Sequence, residues 1–270
     1  MKDITQIDFT ILDRPDILSF LFHPRPELNV SDIGPPHHDM LIPVEEDVAI
    51  GARFHLVDNI APNILFFHGN GEIVADYDDL GPVYNQLGIN FLAVDYRGYG
   101  RSTGKPTITA MMRDCHIIFE FIRKWLAENE YKGPLIVMGR SLGSASALEL
   151  AVNYQSLVGG LIIESGLAYV RPLLKLLGID SELPDFQEEK GFQNVDKIRS
   201  FKGPTLIIHA ENDHIIPFKV GQILYEACGS AEKTLLTIPH ANHNDIFLRG
   251  FNEYMQAVKL LTAKAKQNII

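Results

Sequence analysis

Short runs of β-branched and apolar residues alternate with longer segments of helical periodicity along most of this chain, and that alternation is what most constrains its fold. The runs lie at 64–67, 91–94, 135–138, 161–163, 206–208 and 234–238, with predicted helices at 74–87, 108–128, 142–154, 217–228 and 246–265. Strand, crossover helix, strand is the pattern that builds a mainly parallel sheet. Runs that are apolar at every position, not at every second one, fit strands covered by helices on both faces. Residues 38–44 and 48–57 read as an antiparallel hairpin at one sheet edge, with the acidic Glu45, Glu46 and Asp47 at its turn. With 270 residues, one α/β domain spanning 1–270 is expected. Its N-terminal segment and edge hairpin would occupy 1–60, and a short lid-like insertion 167–200.

Two segments leave room for more than one reading. In the insertion, Val170, Leu173, Leu174 and Leu177 recur at helical spacing over 167–177. One face is therefore apolar and either packs on the core or lines a substrate site. The apolar run 17–22 is too short to span a bilayer and is expected to pack under the sheet, with a surface-binding helix as the alternative.

Composition excludes several classes of function. The formal charge is −10 and no lysine or arginine cluster occurs, which argues against nucleic-acid and anionic-membrane partners. No apolar stretch is long enough to cross a membrane, and the polar residues 1–6 do not resemble a secretory signal, so a cytoplasmic protein is expected. Cys115 and Cys228, the only cysteines, suggest buried thiols in a reducing compartment. The ten histidines show no zinc-type spacing, and no metal is expected. Nothing bears on oligomeric state.

The chemistry centres on Gly139-Arg140-Ser141-Leu142-Gly143-Ser144, which follows one apolar run and precedes a helical one. Glycines two residues either side of Ser141 suit a sharp strand-to-helix turn that presents its hydroxyl. The string alone is weak evidence, matching roughly one chain in ten of this length by chance. A nucleophilic serine needs a base, an orienting acid and donors for an oxyanion. Asp213 stands in the loop after the run 206–208, and His243 directly precedes the final helix. Upstream, the run 64–67 enters the glycine-rich His68-Gly69-Asn70-Gly71-Glu72. Serine, acid and histidine thus follow one another in order at strand ends.

These residues, with the loop from Asp95 to Ser102, the segment from Glu211 to Pro217 and His243-Asn244-Asp245-Ile246, resemble the α/β-hydrolase superfamily from about residue 50 onward. They are most similar to its intracellular branch, which includes eukaryotic protein depalmitoylases and many unassigned bacterial hydrolases. The resemblance implies Ser141 as nucleophile, His243 as base, Asp213 as orienting acid, and the backbone N–H groups of Asn70 and Leu142 as an oxyanion hole. It implies no cofactor. Glu164, at another strand end, and Glu211 are rival acids, and His240 is a rival base. His240 and Asn242 stand where the family usually has glycine. His68, Asp95 and Arg97 are expected to order loops, and Ser144 and Ser146 to pack. The expected reaction is hydrolysis of a small-molecule ester or acyl thioester, with a peptidase or amidase and a non-catalytic binding protein as alternatives. Those depalmitoylases carry a cysteine-rich N-terminal membrane anchor, whereas no cysteine precedes Cys115, so a soluble substrate is expected.

Overall fold

A computed structural model describes residues 3–28, 37–176, 178, 187 and 191–265. Eight strands form one sheet among the described residues: β1 (His38–Glu45), β2 (Val48–His55), β3 (Asn63–Phe67), β4 (Asn90–Val94), β5 (Leu135–Arg140), β6 (Gly160–Glu164), β7 (Thr205–Ala210) and β8 (Lys233–Ile238). Their order is β1-β2-β4-β3-β5-β6-β7-β8. The β1–β2 hairpin is antiparallel and joins β4 antiparallel through β2, while every pairing from β4 to β8 is parallel.

The layers follow from side-chain alternation. Leu65, Phe67 and Val137 share one core with residues of α3 (Ile108–Glu128), α4 (Ser144–Asn153), α6 (Asn194–Ser200) and α7 (Phe218–Ala227). Ile64, Phe66, Ile136 and Met138 share the other with Tyr84 of α2 (Gly81–Gln86) and Tyr254, Met255 and Val258 of α8 (Ile246–Lys264). Each such side chain, taken from water, contributes about 1.5–3 kcal/mol before the cost of ordering it. The strands must therefore be apolar on both faces.

The chain leaves β3 to build β4 on one side, then returns to lay β5 on the other. The loops after β3 and β5 thus diverge at the carboxyl edge of the sheet, the switch point where α/β folds open a crevice. Those loops carry Asn70 and Ser141.

Three details differ from expectation. The helix expected at 74–87 is a 3-10 turn, Val74–Tyr77, followed by the separate α2. Pro82 has no N–H to continue a helix from the preceding turn and instead opens a new one. The expected insertion 167–200 contains two different things: α5 (Arg171–Leu176) and α6, the crossover helix packed against α4 and α7. Val170 and Leu174 are buried in the core, while Leu177 and most of the acidic stretch lie outside the described residues. Finally, α1 (Pro15–Leu21) does bury Ile17 and Leu21, yet it also reaches the carboxyl edge of the sheet, where Phe20 and Leu21 line a cavity.

Candidate active site

Ser141 follows the last residue of β5 with φ of 51°, in the left-handed region that costs a non-glycine residue about 1–2 kcal/mol. Neighbouring backbone holds it there. A β-carbon on Gly139 would run into the Gly143 carbonyl, and one on Gly143 into the Phe67 carbonyl at the end of β3. The two glycines let the turn close on itself and on the adjacent strand. Ser144 then locks it, its hydroxyl donating to the Ser141 carbonyl at 2.6 Å and accepting from the Leu167 N–H at 3.0 Å.

Asp213 and His243 come from the loops after β7 and β8, and they meet. His243 Nδ1 lies 2.7 Å from Asp213 Oδ2, with both residues buried. The other carboxylate oxygen accepts the N–H groups of Ile216 at 2.8 Å and Ile215 at 3.0 Å. Burial opposes ionisation of Asp213, but the His243 bond and these two N–H groups outweigh it and hold the carboxyl below its ordinary range. Beside it, buried His209 uses Nε2 on the Ile216 carbonyl at 2.8 Å, and burial pushes its pKa down. Neutral His209 thus donates to the carbonyl and braces the acid loop.

A cavity of about 580 Å³ opens above the carboxyl edge. Ser141, His243, Asn70 and Leu142 line it together, among mostly apolar walls that include Phe20, Leu21, Leu167, Ile216 and Val220. Among the described residues, neither the Asn70 nor the Leu142 backbone N–H donates to a protein acceptor. The Asn70 side chain is fully engaged: Oδ1 accepts from the His23 N–H at 2.8 Å and the Tyr99 hydroxyl at 3.0 Å, while Nδ2 lies 3.1 Å from the Phe20 carbonyl and 3.0 Å from His23 Nδ1. It pins residues 20–23 as one wall of the cavity.

A family model described as Serine aminopeptidase, S33, matches residues 58–183. Human Alpha/beta hydrolase domain-containing protein 17B is 31% identical over 222 residues, covering 78% of this chain and 69% of that protein. The chain belongs to the α/β-hydrolase family. Protein bem46 of Schizosaccharomyces pombe is 29% identical over 191 residues, covering 69% of this chain and 63% of that one. The Pyrococcus furiosus esterase Pf2001 shares the fold with a TM-score of 0.69 at 21% identity, over 90% of this chain and 99% of that one. A soluble variant of Saccharomyces cerevisiae monoglyceride lipase does so with a TM-score of 0.65 at 18% identity, over 87% and 97%.

Within this α/β-hydrolase the rival residues are occupied elsewhere. Glu164 accepts from Arg140 Nε at 3.0 Å and from the Tyr254 hydroxyl at 2.7 Å, and burial raises its pKa. Glu211 accepts the His240 N–H at 2.8 Å. His240 is exposed and has φ of 59°, a left-handed conformation that glycine adopts without strain. Asn242 caps its own turn, its side chain accepting the Asn244 N–H at 2.9 Å. His68 bridges the Gly69 carbonyl at 2.7 Å and Asp95 at 3.2 Å, and Arg97 grips Asp114 with two bonds of 2.7 and 2.8 Å. Ser146 is buried in α4, as is Ser144, which additionally ties the elbow.

Sequence reasoning passed over Phe20, Leu21 and His23 in the cavity wall, and it passed over Arg140. A signal for Arg140 existed: it ends an otherwise apolar run, and of the two neighbouring strands one is followed by Glu72 and the other ends in Glu164.

Proposed function

We propose that the protein is a serine hydrolase that cleaves a carboxylic ester or acyl thioester through an acyl-enzyme. The observation that carries this reading is the 2.7 Å contact between Asp213 and His243 Nδ1, in a cavity that Ser141 also lines. With Nδ1–H donated to the carboxylate, Nε2 keeps its lone pair to take the Ser141 proton. The Ser141 oxygen then bonds to the substrate carbonyl carbon, and the oxyanion forms facing the N–H groups of Asn70 and Leu142. One such donor is worth about 3 kcal/mol in the transition state. On collapse, His243 passes its proton to the departing alcohol or thiol. Water, deprotonated by the same ring, releases the acid and restores Ser141.

The scheme draws on no cofactor. The apolar walls suit a medium or long acyl chain on a small-molecule substrate, because enclosing each methylene contributes about 0.8 kcal/mol. The net charge of −10 supports neither a nucleic-acid partner nor an anionic lipid surface. No described helix is long and apolar enough to cross a membrane. Buried Cys115 and Cys228 suit a reducing compartment, and we assign the reaction to the cytoplasm.

An amidase or aminopeptidase reading is favoured by one observation, the description of the matching family model. Both readings use the same residues. Hydrolysis of p-nitrophenyl esters and acyl-CoAs of increasing chain length, beside aminoacyl anilides, separates them. The ester reading expects turnover of esters or thioesters that disappears in Ser141→Ala. Turnover of anilides alone transfers the assignment to amides, and no turnover by folded protein leaves a binding role.

A further inference from the structure

One side chain ties the Ser141 elbow to the loops that carry Asn70 and His243. Arg140 immediately precedes Ser141 and is 8% exposed. Its Nε donates to Glu164 Oε1 at the end of β6, at 3.0 Å. One terminal nitrogen pairs with Glu72 Oε1 in the loop after β3. The other donates to the His243 carbonyl oxygen at 2.8 Å and lies 3.4 Å from Asn244 Oδ1.

Those partners are themselves tied to the site. The second oxygen of Glu72 accepts the Gly69 N–H at 2.7 Å and the Tyr77 hydroxyl at 2.7 Å, which fixes the residue before Asn70. Gly69 gives the guanidinium its place: a β-carbon there would lie 2.7 Å from an Arg140 nitrogen. Tyr254 of α8 holds the far oxygen of Glu164. His243 is therefore gripped at two points, its ring by Asp213 and its backbone by Arg140. A guanidinium meets such a set because its fork of N–H groups points in several fixed directions, whereas a lysine ammonium is a single point charge on a flexible stem. Burying it also requires this degree of pairing.

We propose that Arg140 is a positioning residue for hydrolysis, holding the His243 loop and the Asn70 loop in register with Ser141. The inference rests on the serine hydrolase reading above. Its reach is set by geometry: displacing a reacting group by about 1 Å can cost about 100-fold in rate without loss of substrate binding.

The test is steady-state kinetics on the best ester of the panel for the parent, Ser141→Ala, Arg140→Lys, Glu72→Gln and the Arg140→Lys/Glu72→Gln double variant, with thermal unfolding of each. The expected result is a fall in kcat of about 100-fold for Arg140→Lys with KM within about twofold, on protein that still unfolds cooperatively. Glu72→Gln, at a partly exposed residue outside the elbow, is expected to lose about tenfold, and the double variant far less than the product of the two. A folded Arg140→Lys with kcat within threefold of the parent overturns the inference while leaving the hydrolase reading intact. So do rate losses that merely follow the folded fraction, or two losses that multiply independently. If Arg140→Lys does not fold, an undiminished kcat in Glu72→Gln overturns it equally. A folded parent that turns over nothing removes both.

Discussion

Replacing Asp213 by asparagine keeps the size of the side chain and removes one oxygen's ability to accept. In the parent, Oδ2 takes the His243 Nδ1 contact at 2.7 Å while Oδ1 takes two backbone N–H groups at 2.8 and 3.0 Å. An amide has one acceptor oxygen. If that oxygen stays on Ile215 and Ile216, the NH2 faces Nδ1 and stabilises the tautomer with Nδ1 unprotonated, which puts the ring proton on Nε2 and removes the base. If it turns to His243, both N–H groups face an NH2 instead, and the buried one, that of Ile216, alone costs about 1–3 kcal/mol. The two N–H bonds favour the first arrangement. A wrong tautomer with the geometry intact has a known scale in serine hydrolases of about 10⁴ in kcat, or about 5.4 kcal/mol in the barrier. The expected outcome is a fall of about 10³ to 10⁴ in kcat for Asp213→Asn, with KM little changed and cooperative unfolding retained, measured on the best p-nitrophenyl ester. The reasoning is refuted if folded Asp213→Asn keeps more than a tenth of the parent kcat. It is refuted in a different way if Glu164→Gln loses more than Asp213→Asn, since Glu164 would then be the orienting acid despite its bonds to Arg140 and Tyr254.

Gly143→Ala drives a β-carbon into the Phe67 carbonyl; a loss of about 3 kcal/mol in unfolding free energy is expected by urea titration, where a change below 1 kcal/mol contradicts the close-packed elbow. Asn70→Ala frees residues 20–23 while retaining the backbone N–H, so kcat/KM is expected to fall about tenfold with a broadened acyl-chain optimum; an unchanged chain-length profile counts against the pinned wall. Burial holds His55 down to about 4, against an ordinary value near 6.5. The unfolded chain therefore binds that proton first, and stability present above about pH 6.5 declines as pH falls toward 4, by about 3 kcal/mol in all. Urea titrations at pH 7 and 4.5 on the parent and His55→Asn check this, and a parent no more acid-sensitive than the variant contradicts it.

Much of this was legible in the sequence for a physical reason. Parallel strands covered on both faces must be apolar at every position, so β3 to β7 announce themselves, and the serine, acid and histidine follow strands whose loops share one edge. The helix expected at 74–87 misled because apolar spacing continues through Pro82, whose missing N–H divides it. The wall formed by Phe20, Leu21 and His23 was illegible because a six-residue apolar run does not reveal what it faces. The Asn70 side chain that fixes it lies 47 residues from His23. Arg140 was passed over for a similar reason. Its partners Glu72, Glu164 and His243 come from separate segments, and only the strand order brings them within one guanidinium's reach. His240 shows the converse: a departure from the glycine that the resemblance implies was visible, and the structure places a left-handed residue there.

The most direct test of the central claim is mass spectrometry of the intact protein after exposure to a fluorophosphonate, followed by peptide mapping, on the parent, Asp213→Asn and Ser141→Ala. The account predicts a single adduct on Ser141 in the parent, formed slowly in Asp213→Asn and absent from Ser141→Ala. Folded parent that takes up no adduct, or an equal adduct in Ser141→Ala, would contradict it.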